Sequence, residues 1–342
     1  MKRRDLILGA SAMGLAAPIA SYKSAAMTER QPISLEAIRA AQTRIKDAAI
    51  RTPLVRLNVD DAPADIYLKL ENLQPIGSFK IRGASNAMAM ASADDLAHGV
   101  YTASAGNMAQ GVAWNARRLG IPCHVVVPDH APQTKLEAIT RLGGEIIKVS
   151  FAEWWQIIVT HRYAGLDGFF IHPVSDPAVM AGNGTIGLEI IDDLPDLDTV
   201  IIPYGGGGLS SGIASAIRAL KPDTKIYACE VETAAPLAPS LAAGELQEVE
   251  YTPTFVDGIG SGSVLPDMWP LVSQLLDGSL VMSLDEISVA IRLLLERNRV
   301  LAEGAGATSV AAALSGKAGG GKVVCIVSGG NIDTATVLKI LS

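Results

Sequence analysis

Between residues 66 and 327 the chain alternates short apolar runs with longer stretches whose apolar positions recur every three or four residues. The runs at 66–70, 99–103, 122–127, 145–149, 168–172, 199–203, 225–230 and 322–327 predict strands. The amphipathic stretches at 107–119, 134–142, 151–163, 178–192, 210–220 and 284–299 predict helices. A βαβα order needs crossover connections, so the expected fold class is α/β, with mostly parallel sheets flanked by helices on both faces. Ligands in such folds sit outside the carboxyl ends of the strands, and here glycine-rich turns follow several of those ends. No internal repeat is visible, and the one low-complexity run (Gly319, Gly320, Gly321) reads as a loop.

Composition narrows the picture. With 342 residues, 49% apolar and 18% charged, the chain can bury a large core, and it suggests two lobes. A formal charge of -7 and the lack of a basic stripe with interleaved aromatics argue against a nucleic-acid partner. Cys123, Cys229 and Cys325 each lie inside an apolar run, which predicts buried packing thiols. With no CxxC or HxxxH pair, no metal site is expected.

Residues 1–26 differ in kind. Lys2, Arg3 and Arg4 precede a mild apolar stretch at 6–20, too short to span a bilayer but suited to an export signal. The twin arginines predict a twin-arginine signal peptide, and hence a periplasmic protein with no membrane segment in its mature form. The alternative is a cytoplasmic chain starting at Met27. Removing 1–26 takes four cations (Lys2, Arg3, Arg4, Lys23) and one acid (Asp5) from totals of 28 and 35, so the remainder is more acidic still.

The candidate chemistry centres on Lys80, within Gly77-Ser78-Phe79-Lys80-Ile81-Arg82-Gly83. The apolar spacing after it predicts a helix start, where the positive end of the helix disfavours an ammonium. A lysine kept neutral can form a Schiff base with an aldehyde cofactor. Gly205, Gly206, Gly207 and Gly208 follow the strand at 199–203 and precede a helix, a pattern that predicts a phosphate cradle. It is neither a dinucleotide fingerprint nor a Walker loop. Ser104-Ala105-Gly106-Asn107 opens another helix; read alone it is an N-cap, though its backbone donors could hold a carboxylate. Ser328-Gly329-Gly330-Asn331 ends the strand at 322–327.

In combination these motifs, with Glu71-Asn72-Leu73-Gln74-Pro75 and Glu303-Gly304-Ala305-Gly306-Ala307, resemble the threonine/serine dehydratases (ammonia-lyases) from about residue 34 to the end. These are pyridoxal 5'-phosphate enzymes of fold type II, the tryptophan synthase β-like fold, and serine racemase is a relative. The resemblance implies a large cofactor-binding domain at 27–97 and 176–342, a small mobile domain at 98–175, and a homodimer. It implies that Lys80 binds the cofactor and then acts as base at the substrate's Cα. It places Phe79 against the ring, Asn107 at the phenolic oxygen, Gly205, Gly206, Gly207, Gly208 and Leu209 around the phosphate, and Ser328 at the ring nitrogen. Ser104, Ala105, Gly106, Asn107 and Met108 would meet the substrate. A serine hydroxyl cannot stabilise a protonated pyridinium, which favours expulsion of a β-substituent.

Some positions depart from the family pattern. Met108 stands where histidine is common, leaving room for a bulkier β-hydroxy amino acid. Ala105 replaces the second catalytic serine of the racemases, and Val174 replaces their asparagine; both favour elimination over racemisation. Pro236 stands where a cation site using Glu230 would need an acid, although Glu232 is close. Trp154 and Trp155 are expected to pack in the core. The chain ends about ten residues after Asn331, without the regulatory domain of biosynthetic dehydratases, so a degradative or specialised role is expected. The expected activity is therefore an amino-acid ammonia-lyase for threonine- or serine-type substrates. Racemisation, β-replacement and non-catalytic amino-acid or cofactor binding are the alternatives.

Overall fold

The computed structural model describes residues 30–342. The expected export signal at 1–26 and the alternative start at Met27 lie outside them. The chain enters through α1 (Leu35–Ile45), capped by Ser34, then forms β1 (Leu54–Arg56), β2 (Asp65–Leu70) and a 3-10 turn at Glu71–Leu73 before α2 (Lys80–Met90). A parallel unit follows: β3 (Val100–Ala103), α3 (Asn107–Leu119), β4 (Cys123–Pro128), α4 (Gln133–Arg141), β5 (Glu145–Val149), α5 (Phe151–Thr160) and the short β6 (Phe169–Phe170). The chain continues through α6 (Pro177–Asp193), β7 (Thr199–Pro203), α7 (Gly208–Leu220), β8 (Lys225–Val231) and α8 (Leu237–Ala243). It finishes with α9 (Trp269–Leu275), β9 (Gly278–Met282), α10 (Leu284–Leu293), α11 (Gly304–Leu314), β10 (Lys322–Val327) and α12 (Thr334–Leu341).

Two sheets result. The larger runs β1-β2-β10-β7-β8-β9, parallel throughout except for the β1–β2 pair, and the smaller runs β5-β4-β3-β6, wholly parallel. β7 is buried at all five positions, as expected of a central strand covered on both faces. The three cysteines sit buried and free on β4, β8 and β10. Several expected elements come out shorter, among them the helix expected at 151–163, which ends at Thr160. The helix expected at 284–299 passes into a π-helical turn at Leu294–Asn298, which closes on Arg299 at φ 59°, and the strand expected at 168–172 keeps only two residues.

One buried charge cluster joins the large sheet to its helices. Arg82 on α2 donates through Nε and Nη2 to the Glu71 carboxylate, both at 2.8 Å, and through Nη1 and Nη2 to Glu189 on α6 at 2.7 and 2.9 Å. Lys69 Nζ on β2 lies 2.7 Å from Glu189 and donates to the Thr52 carbonyl at 2.6 Å. Burial by itself would raise the Glu71 carboxyl, but Arg82 beside it holds it below its ordinary value. Two cations thus face two anions with nearly every donor satisfied, the condition under which a buried ion cluster is tolerated. Replacing Arg82 with Met leaves two carboxylates buried against Lys69 alone. Urea unfolding of Arg82→Met should show a loss of about 3–5 kcal/mol, and an unchanged midpoint would refute this account.

Candidate active site

Five helices point their N-termini at one cavity of about 390 Å³. Their N-caps, Phe79 (α2), Gly106 (α3), Pro132 (α4), Gly207 (α7) and Glu303 (α11), all line it, and none makes a side-chain cap bond. α1, α5, α6 and α10 are capped by Ser34, Ser150, Asp176 and Ser283, while α8, α9 and α12 also lack a side-chain cap bond, so it is the convergence of the five on one cavity that sets them apart. Uncapped first turns leave backbone N–H groups free and carry partial positive charge, so the cavity is built for anions. It also lies beyond the carboxyl ends of β3, β4, β7 and β10, where a parallel sheet opens.

The glycine run forms the most constrained wall. Gly207 sits at φ 95°, a left-handed conformation that a side chain would strain. A Cβ on Gly206 would stand 2.6 Å from a Val174 methyl, and one on Gly208 would strike the Val174 carbonyl. Only bare backbone fits between Val174 and the start of α7. Such a cradle suits a phosphate, and the donor chemistry fits pyridoxal phosphate.

Lys80 is the first residue of α2, where the sequence placed a helix start. Its Nζ donates to the Pro173 carbonyl at 2.7 Å and lies 5.3 Å from the centre of the Phe79 ring. Burial pulls the ammonium down to about 8, and the nearby Glu303 charge opposes that shift. Burial, rather than the positive end of the helix, is the leading cause. The Pro173 carbonyl is itself fixed by His172. That imidazole accepts at Nδ1 from the Val174 and Ser175 amides, at 3.1 and 2.8 Å, and its Nε2 meets the Ile158 carbonyl at 3.1 Å. Burial pushes His172 down to about 3, so it is neutral with its proton on Nε2.

Every candidate residue lines this cavity: Phe79, Lys80, Ser104, Ala105, Gly106, Asn107, Met108, Gly205, Gly206, Gly207, Gly208, Leu209 and Ser328. Two details differ from expectation. Asn107 is not a cap; its Nδ2 donates to both Glu303 oxygens, at 2.9 and 3.2 Å, and its Oδ1 accepts from Asn331 at 2.8 Å. Trp154 lines the cavity beside Phe151, and Trp155 is 36% exposed, so the tandem tryptophans are not simply core. The residue missed as a site candidate is Glu303. Burial raises its carboxyl to about 7, against the lowering pull of Asn107. An acid placed directly before a glycine-rich helix was the available signal. Outside the cavity, Glu230 accepts from the Leu237 and Ala238 amides and from Ser279 Oγ, at 2.8, 2.9 and 2.6 Å, while Glu232 accepts from the Leu284 amide at 3.0 Å.

Comparison with known proteins agrees with this geometry. The family model described as "Pyridoxal-phosphate dependent enzyme" matches residues 45–329. An L-threonine ammonia-lyase of Thermotoga maritima is 41% identical over 315 residues, covering 91% of this chain and 78% of that protein. A catabolic L-threonine dehydratase of Escherichia coli K12 is 38% identical over 316 residues, covering 90% and 96%. Among solved structures, maize serine racemase superposes with a TM-score of 0.84 at 34% identity, covering 91% of this chain and 97% of that one. The two-sheet architecture is thus the fold type II expected from the motifs, and the cofactor is pyridoxal phosphate. The chain belongs to the pyridoxal-phosphate-dependent enzyme family and, within it, to the threonine/serine dehydratases.

Proposed function

We propose that this protein is an ammonia-lyase that removes water from a β-hydroxy L-amino acid of the threonine/serine type and releases a 2-oxo acid and ammonia. The observation that carries the proposal is Lys80, a primary amine inside an anion-binding cavity and shifted toward its neutral form. When bound, pyridoxal phosphate supplies an aldehyde for the amine and an electron-withdrawing ring that acidifies the substrate's Cα hydrogen. Gly205, Gly206, Gly207, Gly208 and Leu209 would hold its phosphate, Phe79 would lie against the ring, and Ser328 would meet the ring nitrogen. Asn107 would meet the phenolic oxygen, held in position by Glu303 and Asn331.

The substrate carboxylate would sit at the uncapped start of α3, against Ser104, Ala105, Gly106, Asn107 and Met108. The freed Lys80 amine would take the Cα proton and pass it to the β-hydroxyl, which would leave as water. The resulting enamine, once released, hydrolyses to the oxo acid and ammonia. Ala105 supports elimination over racemisation, because a methyl group there can return no proton. The proposal includes a small domain at 98–175, which contains all four strands of the smaller sheet, and a homodimer. It also includes export through the twin-arginine segment at 1–26.

Lys80→Ala should lose oxo-acid release and the visible absorbance of bound cofactor together; a turning-over Lys80→Ala variant would refute the scheme. The same assay separates the racemase reading, which requires D-serine to accumulate from L-serine without ammonia. Cofactor-free protein should take up pyridoxal phosphate at a rate that follows the neutral amine. Because the Lys80 shift is downward, that rate should rise with pH to a midpoint near 8; a midpoint near the ordinary 10.5 would contradict the burial argument. Export is checked by sequencing the N-terminus of protein recovered from the periplasm of a bacterial host with an active twin-arginine pathway. The expected start is near residue 27, and retention of 1–26 on cytoplasmic protein would overturn it.

A further inference from the structure

The anchoring groups occupy only part of the cavity. On the proposed reading Lys80 would hold the cofactor aldehyde, the start of α3 the substrate carboxylate, the glycine run the phosphate and Ser328 the ring nitrogen. What is left over is a wall formed by the β4–α4 loop, the first turn of α5 and the segment around Tyr251. That wall is aromatic. Phe151 and Trp154, three apart on α5, share one helix face with ring centres 5.7 Å apart, and His130 lies 5.9 Å from Phe151. Phe151 is 55% exposed and Tyr251 49% exposed, although both line the cavity. Met108 and Val174 add apolar surface nearby.

Resting on the ammonia-lyase reading, we propose that the preferred substrate carries an aromatic or similarly large apolar group on its β-carbon, so that the site favours an aryl-serine over threonine. A methyl group would leave the Phe151 and Tyr251 faces wet. An aryl ring would cover them and gain tilted ring contacts of the kind already made among His130, Phe151 and Trp154. The opposite choice, an acidic side chain, finds little support on this wall. Among the described residues no arginine lines the cavity, and Lys135 is held by Asp257 at 2.6 Å. The net reaction balances: 3-phenylserine gives phenylpyruvate and ammonia, with the water lost at the β-carbon regained on hydrolysis.

Two measurements on the pyridoxal-phosphate-loaded protein test the proposal. L-Phenylalanine and L-alanine lack a β-hydroxyl, so each binds without elimination and can be titrated by the change in visible absorbance. Phenylalanine should half-saturate at a concentration at least tenfold below alanine, since even one methylene in an apolar pocket is worth about that factor. For turnover, kcat/KM for L-threo-3-phenylserine should exceed that for L-threonine at least tenfold, and Phe151→Ala should shrink the ratio in both assays. Phe151 is exposed enough that its truncation leaves folding intact, whereas Trp154→Ala serves as a second variant read in the same way. Equal binding of the two analogues, a preference for threonine, or a ratio that Phe151→Ala leaves unchanged each overturns the inference while the ammonia-lyase reading stands. Absence of ammonia from phenylserine, threonine and serine alike overturns that reading instead, and this one with it.

Discussion

The site depends on the direction in which one arginine is held. Arg82 is gripped by Glu71 at the end of β2 and by Glu189 on α6, with Lys69 completing the charge balance. Residues two apart on an α-helix project about 200° from each other. Anchoring Arg82 in the interior therefore turns Lys80, two positions earlier, to the opposite side of α2, where the cavity lies. Backbone bonds complete the fixing: the Phe79 amide donates to the Ser328 carbonyl at 3.0 Å, and the Gly330 amide to the Gly77 carbonyl at 2.9 Å. The start of α2 and the end of β10 are thereby one rigid unit, and it carries both Lys80 and Ser328.

Around that unit the fold gathers helix ends rather than charged side chains. Five uncapped first turns present fixed backbone donors to the cavity, and among the described residues no arginine lines it. Backbone dipoles do not titrate, so the anion sites keep their strength over the pH range in which Lys80 and Glu303 change protonation. The same crowding excludes water from Lys80 and brings its pKa near neutrality. Glu303 moves in the opposite direction for the same reason, so an acid and a base in one cavity approach each other in proton affinity.

Much of this architecture was readable in the alternating pattern. The helix at Asn107–Leu119 and the strands at Glu145–Val149, Thr199–Pro203 and Lys322–Val327 fall where the sequence put them. What escaped has physical causes. α11 is buried on nearly every side, so its Gly- and Ala-rich sequence shows no polar face to give a period. β9 follows a turn as Gly-Ser-Leu-Val-Met, too short to stand out. Trp154 read as a core residue because periodicity reports that a face is covered without reporting by what.

The sequence by itself determined the reactive inventory: the lysine after Gly77-Ser78-Phe79, four consecutive glycines after a strand, and a hydroxyl at the end of the last strand. Those features are local, because turn chemistry and helix starts depend on neighbouring residues along the chain. Only the tertiary structure decided that Asn107 meets Glu303 across 196 residues, that the Pro173 carbonyl waits beside Lys80, and that His130, Phe151 and Tyr251 line one cavity. Each of these is a matter of burial and proximity, set by which surfaces pack together in space, and no spacing along the chain encodes that.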